Sequence, residues 1–441
     1  MIDVLVTGRS LPALQAALDL AEVGLAVAIA APSGREGLDG EGERDPEGTI
    51  AAFMRRIAQP LEGGALRADA EPRLCQPEPP LLRDQSGRWR PQATPEVLGI
   101  PAVPLAEETI ALIGARGALR GYLDRIKPLL TVGKTRELGR LVRNRMGAAV
   151  LERLVAPQVF ERYGVGADEV DVAVAAPGLN EALSRSGALS AGVLAYADRN
   201  VARETRVSPA GGESALLDAA LKKLAFYGVT LLNSAVTELE ESLEGWTAVL
   251  ENGDRLEARA VVADQGRSPQ GFEPLEPLLG SVLPSAARLR VEMEIGRPDW
   301  LGPGCAALSS AEGWAVRLES SGESEGAVVR LTSEVFDVSQ HDIRAADACE
   351  NGVRVFAEIF EDASRADAEC TARSAQLYAA PYATLADRDA ARAALEALVF
   401  GNDTLLPVGR ALHGDDLGAA LESAHAETVV LRRRLLGLEV E

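Results

Sequence analysis

Gly8, Ser10 and Ala13 stand at the spacing of a glycine-rich turn that brings backbone N–H groups against a phosphate. The full pattern is Gly-x-Gly-x-x-Gly/Ala, with an acid at the end of the next strand to hold a ribose hydroxyl. Here Gly8 is present and Ala13 is an accepted variant. Ser10 adds a side chain where a phosphate would approach. The acid position falls on Ala31, which accepts no hydrogen bond from ribose. The chemistry suggested is nucleotide binding, on a scaffold whose contact residues have changed. A structural strand–helix turn that binds nothing explains the same residues and is the favoured reading.

Three other places carry residues of interest. Gly211-Gly212 opens a helical stretch and would either pack near a ligand or simply start the helix. Gly409-Arg410 follows the apolar run Leu405–Val408, with His413 and the helix-capping candidates Asp415 and Asp416 just beyond. Arg136, Arg140, Arg143 and Arg145 form a local basic cluster, most simply a salt-bridged helix surface. Four cysteines (Cys75, Cys305, Cys349, Cys370) make no CxxC pair, and His341, His413 and His425 are far apart, so no metal site is expected. No catalytic residue can be named.

The elements around these positions read as α/β. Ile2–Thr7 and Leu25–Ala30 are continuous apolar runs, as strands covered on both faces should be. Leu14, Ala17, Leu18 and Ala21 give the helix between them one apolar face. Residues 33–48 read as a mobile surface loop. A strand pair is expected around Leu81–Pro91, then helices over Leu112–Leu130, over Thr135–Met146 with Thr135 as its cap, and over Ala148–Ala156 with Pro157 near its end. Glu213–Phe226 is a helix. Strands follow at Val229–Leu232, Ala235–Glu241, Trp246–Glu251 and Leu256–Ala263, with a turn at Asn252-Gly253. Ala286–Ile295, Trp314–Glu319 and Ala327–Thr332 suggest a second sheet. Ile343–Phe360, Ala390–Val399 and Ala419–Leu436 are the last helices.

With 441 residues the chain exceeds one core. Its 66 acids against 45 bases give a net charge of −21, which opposes binding to nucleic acid or anionic lipid. No run is long and apolar enough for a spanning helix, and no signal peptide is expected. The cysteine usage suits a reducing cytoplasm.

Several stretches together resemble the flavin amine-oxidase superfamily, and within it the protoporphyrinogen oxidases. They are Gly114-Ala-Arg-Gly-Ala-Leu-Arg120 running on to Asp124, Leu138 to Gly164, Pro209 to Leu216, and Gly409 to Leu417 running on to Ala424. The resemblance implies FAD in a discontinuous nucleotide domain and oxidation of a C–C or C–N bond beside a second domain. It places cofactor contacts at Gly8, Ser10, Ala13, Ala31, Gly211, Gly212, Gly409, Arg410 and Leu417. It makes a porphyrin propionate the alternative partner for the arginine cluster. Four cofactor positions depart from the pattern: Ser10, Ala31, the misordered Ser33-Gly34-Arg35-Glu36-Gly37, and Arg410 where a short polar side chain is usual.

The expected fold is therefore a two-lobed, Rossmann-like FAD/NAD(P)-binding fold with an inserted substrate-type domain of helices and an antiparallel sheet. Residues 1–60, 200–285 and 395–441 should form the nucleotide-type lobe, and 61–199 with 286–394 the other. The expected function is a protein with a degraded FAD site that binds a small molecule or a protein partner. An FAD-dependent oxidoreductase with a relaxed site, acting on a tetrapyrrole, amine or polyene, is the alternative, and an assembly subunit beside an intact paralogue a third possibility. Arg410 is expected to turn inward and pair with an internal carboxylate, filling the cofactor's volume with protein; the alternative is a charge-assisted bond to a pyrophosphate.

Overall fold

The computed structural model describes residues 2–32, 38, 42–61, 64–76, 78–127, 135–243, 245–269, 274, 276–280, 282–320, 326–338, 345–360 and 373–438. Positions 33–37 and 39–41 of the expected loop, the 128–130 end of an expected helix, 343–344 at the start of another, His341 and Cys370 lie outside them. The chain divides into two compact units, one of 1–77, 202–285 and 389–441, the other of 78–201 and 286–388.

The first unit grows from strand β1 (Ile2–Val6), helix α1 (Leu11–Ala21) and strand β2 (Val27–Ala30). β1 and β2 are parallel, with Val6 opposite Ile29, and Thr230–Leu232 extends the sheet beyond β2. On the other side of β1 runs the long strand Arg255–Asp264, parallel, with Val6 opposite Val262. Its first half turns back antiparallel through Gly245–Leu250 and Val236–Ser242, while its second half pairs in parallel with Leu405–Val408. Alternation along β1 fills both faces of this sheet. Val4 and Val6 pack with α1 and the C-terminal helix Leu417–Leu435, and Leu5 packs with Trp246 and Leu250 on the opposite face. Covering on both sides is why the runs are continuously apolar.

Every residue of α1 is buried, including a charge, Asp19. Its carboxylate receives Arg56 Nη1 at 2.5 Å and Gln15 Nε2 at 2.8 Å, and His425 Nδ1 lies 2.8 Å away. A buried carboxylate persists because it is paired and hydrogen-bonded.

The acid-rich stretch expected as a loop is in part built into the fold. Glu43–Arg44 is a strand, β3, paired antiparallel with Arg206–Pro209, which also pairs with Pro72–Cys75. Asp45 accepts from the N–H groups of Ile50 and Ala51 at 3.0 and 2.8 Å, satisfying the start of helix α2 (Thr49–Ala58). The pairing strand lies about 160 residues away in sequence, so no local pattern announces it.

The second unit holds an antiparallel sheet in which Ala286–Gly296 pairs with Gly326–Ser333 on one side and Arg373–Ala379 on the other. Trp314–Ser320 and Ala306–Ala311 follow beyond Gly326–Ser333. The expected short strand pair is Leu82–Arg83 with Trp89–Arg90. Helix Glu107–Tyr122 is interrupted at Gly114, whose φ of 76° only glycine adopts easily. Two expectations are corrected. Helix Leu138–Arg145 starts three residues after Thr135, with no side-chain cap, because Leu138 N–H donates instead to Val170 O at 2.9 Å. Pro157 does not end its helix: Ala148–Val150, the wider π-helical turn Leu151–Val155 and Ala156–Tyr163 run on without a break, and the π turn directly precedes the proline.

Candidate functional site

β1 delivers the chain to Gly8, and α1 begins two residues after Arg9. Ser10 is the N-cap of α1, and its Oγ accepts from Ala13 N–H at 3.3 Å. The same hydroxyl donates to Asp264 Oδ1 at 2.7 Å, and Ser10 N–H donates to Asp264 Oδ2 at 2.8 Å. Gly266 N–H completes the set, donating to Oδ1 at 2.9 Å. Asp264 N–H donates to Thr7 Oγ1 at 3.1 Å, which fixes the residue to the end of β1. The carboxylate sits so close to Gly8 that a Cβ there would lie 2.1 Å from Oδ2. Gly8 is thus required for an internal contact as well as for the turn.

The positive end of α1 favours a negative group at this place. Here the group is a side chain of the chain itself. Enclosure by protein pushes the Asp264 carboxyl above its usual range, against the pull of the Ser10 and Gly266 hydrogen bonds. Part of the residue remains open to solvent. As built, the turn meets an approaching diphosphate with a carboxylate, and the Ser10 N–H is already engaged.

The second half of the site comes from the C-terminus. Leu405–Val408 ends in Gly409, with φ 131°, where a Cβ would lie 2.8 Å from Gly266 N. This close approach lets Ala411 N–H donate to Gly266 O at 2.9 Å and brings the Gly409 turn onto the segment that holds Asp264. Arg410 is only 2% exposed. Its Nη1 and Nη2 reach Glu43 Oε1 and Oε2 at 2.8 and 3.1 Å, and Nη2 also donates to Asp415 O at 2.8 Å. Asp415 Oδ1 lies 3.1 Å from Arg410 Nε. Arg267 clasps the same carboxylate through Nε at 2.9 Å and Nη2 at 2.6 Å. The expected inward pairing of Arg410 is therefore present, with Glu43 and Asp415 as partners.

Asp415 is not a helix cap, as expected, but a bridge between two arginines. Asp416 alone caps Leu417–Leu435, accepting from Ala419 N–H at 3.0 Å. Burial pulls His413 down to about 4, with Asp416 opposing. Leu417 is packed in the core with α1, and Ala13 and Ala31 are buried beside it or at the end of β2. Ala31 N–H donates to Leu232 O at 3.1 Å, so this position serves the sheet. Gly211 and Gly212 are exposed; Gly211 packs closely on Asp69, and Gly212 has a φ of 78° at the helix start. Gly8, Ser10, Gly409 and Arg410 converge through the 264–267 segment.

Sequence reading missed Asp264, Glu43 and Arg267. One signal was available: Asp264 ends the apolar run Leu256–Ala263, the place where a parallel strand delivers residues to a site. Three arginines of the cluster form ion pairs, and Arg140 is exposed. Arg143 meets Asp168 at 3.0 and 2.7 Å, Arg136 meets Asp171 at 3.4 Å, and buried Arg145 meets Asp124 at 2.5 Å. Among the described residues no group of three or more His, Cys, Asp or Glu is placed to hold a metal ion, and no helix is long and apolar enough to cross a membrane.

No protein-family model and no curated protein matches the chain. Solved structures do. A protein assigned as a protoporphyrinogen oxidase from an Exiguobacterium species superposes with a TM-score of 0.69 at 16% identity, over 98% of this chain and 99% of its own. Reduced UDP-galactopyranose mutase gives 0.62 at 13%, over 100% and 97%. Cyclohexylamine oxidase from Brevibacterium oxydans gives 0.54 at 14%, over 99% of each chain. The class of fold is therefore defined: the chain shares with these enzymes an α/β, Rossmann-like architecture, with a second unit built on an antiparallel sheet. Within it, the chain is similar to protoporphyrinogen-oxidase-like proteins and amine oxidases, as its sequence motifs suggest.

Proposed function

We propose that this chain uses the flavin-oxidoreductase fold without flavin chemistry, as a protein that binds a small molecule or a protein partner. The observation that carries the reading is the buried Arg410–Glu43 pair. Its arginine stands where the resemblance implies a short polar side chain facing the cofactor, and the two charges are committed to each other, the arginine to Asp415 as well. A guanidinium held in a two-pronged carboxylate contact, with a carbonyl besides, has few donors left for a phosphate or ribityl oxygen. The test is the absorbance of the purified protein. A colourless protein that gains no blue-light absorbance or FAD fluorescence change on titration supports the reading. Co-purified or tightly taken-up flavin overturns it.

One observation favours a second reading, an FAD-dependent oxidoreductase with a relaxed site. Arg9, within the turn itself, has a buried Nε with no hydrogen-bond partner. A bound anion would satisfy it. Flavin absorbance decides between the two, and gel filtration with candidate partners then separates a ligand-binding protein from an assembly subunit.

A further inference from the structure

We infer that the Asp264 carboxylate is an intramolecular substitute for a nucleotide diphosphate, closing the turn at Gly8–Ser10 so that this unit is complete without a bound nucleotide. The inference rests on the reading just given, and it names the group responsible.

The geometry is that of an anion site already filled. Two carboxylate oxygens collect the N–H and the hydroxyl of the first capping residue of α1, together with Gly266 N–H. These are the kinds of donor that a helix N-terminus offers to phosphate. Placement follows from topology. β1 and Arg255–Asp264 are parallel with Val6 opposite Val262, so two residues further on Asp264 lies beside Gly8. Thr7 Oγ1 holds the Asp264 backbone, and absence of a side chain at Gly8 leaves the carboxylate room. A diphosphate entering the same turn would displace this carboxylate from its donors or sit against a like charge. Every donor that the carboxylate uses would then need a new acceptor.

Two variants separate the carboxylate's role from general damage. Asp264→Ala removes the group. Asp264→Asn keeps its shape but loses the charge and one accepting oxygen, so its N–H₂ group faces either Ser10 N–H or Gly266 N–H and frees that backbone donor for an anion. Melting curves and titrations are run on the whole chain with ADP, with inorganic pyrophosphate and with adenosine, which lacks phosphate. Wild type should melt at the same temperature in all three. Both variants should melt lower without ligand, regain stability with ADP or pyrophosphate but not adenosine, and bind ADP at least tenfold more tightly than wild type. Variants that gain no phosphate response, or whose melting is unchanged, overturn the inference while a colourless wild type leaves the proposed function standing. A wild type that takes up FAD tightly with Asp264 in place overturns both.

Discussion

Replacing Arg410 by alanine tests whether the C-terminal turn is held by an internal ion pair. Arg410 and Glu43 are almost completely enclosed, and the guanidinium spans Glu43 and Asp415 through five contacts between 2.8 and 3.3 Å. Removing one partner of a buried pair strands the other's charge, which typically costs about 3–5 kcal/mol. Asp415 keeps Arg267, so the loss falls mainly on the Glu43 arm. In a cooperative unit of about two hundred residues each kcal/mol moves the midpoint by roughly 2–4 °C, so a fall of roughly 6–20 °C is expected. The assay is thermal or urea unfolding at pH 7 of wild type, Arg410→Met, Glu43→Leu and the double variant, with Arg410→Ala as the full deletion. The double variant should recover much of the loss, because neither charge is then left alone. FAD affinity should stay negligible throughout. A midpoint shift under about 2 °C for Arg410→Ala, or a double variant as unstable as the sum of the singles, would refute the reasoning. Tight FAD binding by wild type that Arg410→Ala weakens tenfold or more, about 1.4 kcal/mol, would show instead that the arginine serves a cofactor.

Three further outcomes are expected. Ser10→Gly with Ala31→Glu restores the missing turn residues, yet should give no measurable gain in FAD affinity while Asp264 remains; a tenfold gain in a flavin titration would show that those two positions alone close the site. His413 takes its proton near 4 when folded and near 6.5 when unfolded, so the unfolded chain binds more protons between these values and stability falls as pH drops through that window, by at most roughly 3 kcal/mol. His413→Asn should flatten that part of the stability–pH curve, and an unchanged slope would remove His413 as the cause. At a net charge of −21 the protein should stay in the supernatant with anionic vesicles; salt-sensitive pelleting would overturn this and point to a local basic patch around Arg140, which is exposed.

Local sequence was enough for the first βαβ unit. The apolar runs of β1 and β2 and the stop near Gly24 are local physics, and the unbroken apolar runs require cover on both faces, whereas the cap at Ser10 was not read from the sequence. The inward turn of Arg410 was expected from the family resemblance, because the ribose acid and the arginine–glycine loop were missing as well, which favoured an internal carboxylate over a pyrophosphate as its partner. What it could not give was the partner. Glu43 lies 367 positions before Arg410, in a stretch whose acids and glycines read as loop, and reaches it only because β3 pairs with Arg206–Pro209. Asp264 is 254 positions after Ser10, and only the parallel register of β1 with Arg255–Asp264 sets it over Gly8. Sequence also cast Asp415 as a cap when tertiary packing makes it a bridge between Arg267 and Arg410. Types and spacings along the chain decide which elements form, because propensity, capping and periodicity act within a few residues. Which charges meet inside the site is decided by strand register across hundreds of residues, and only the folded structure contains it.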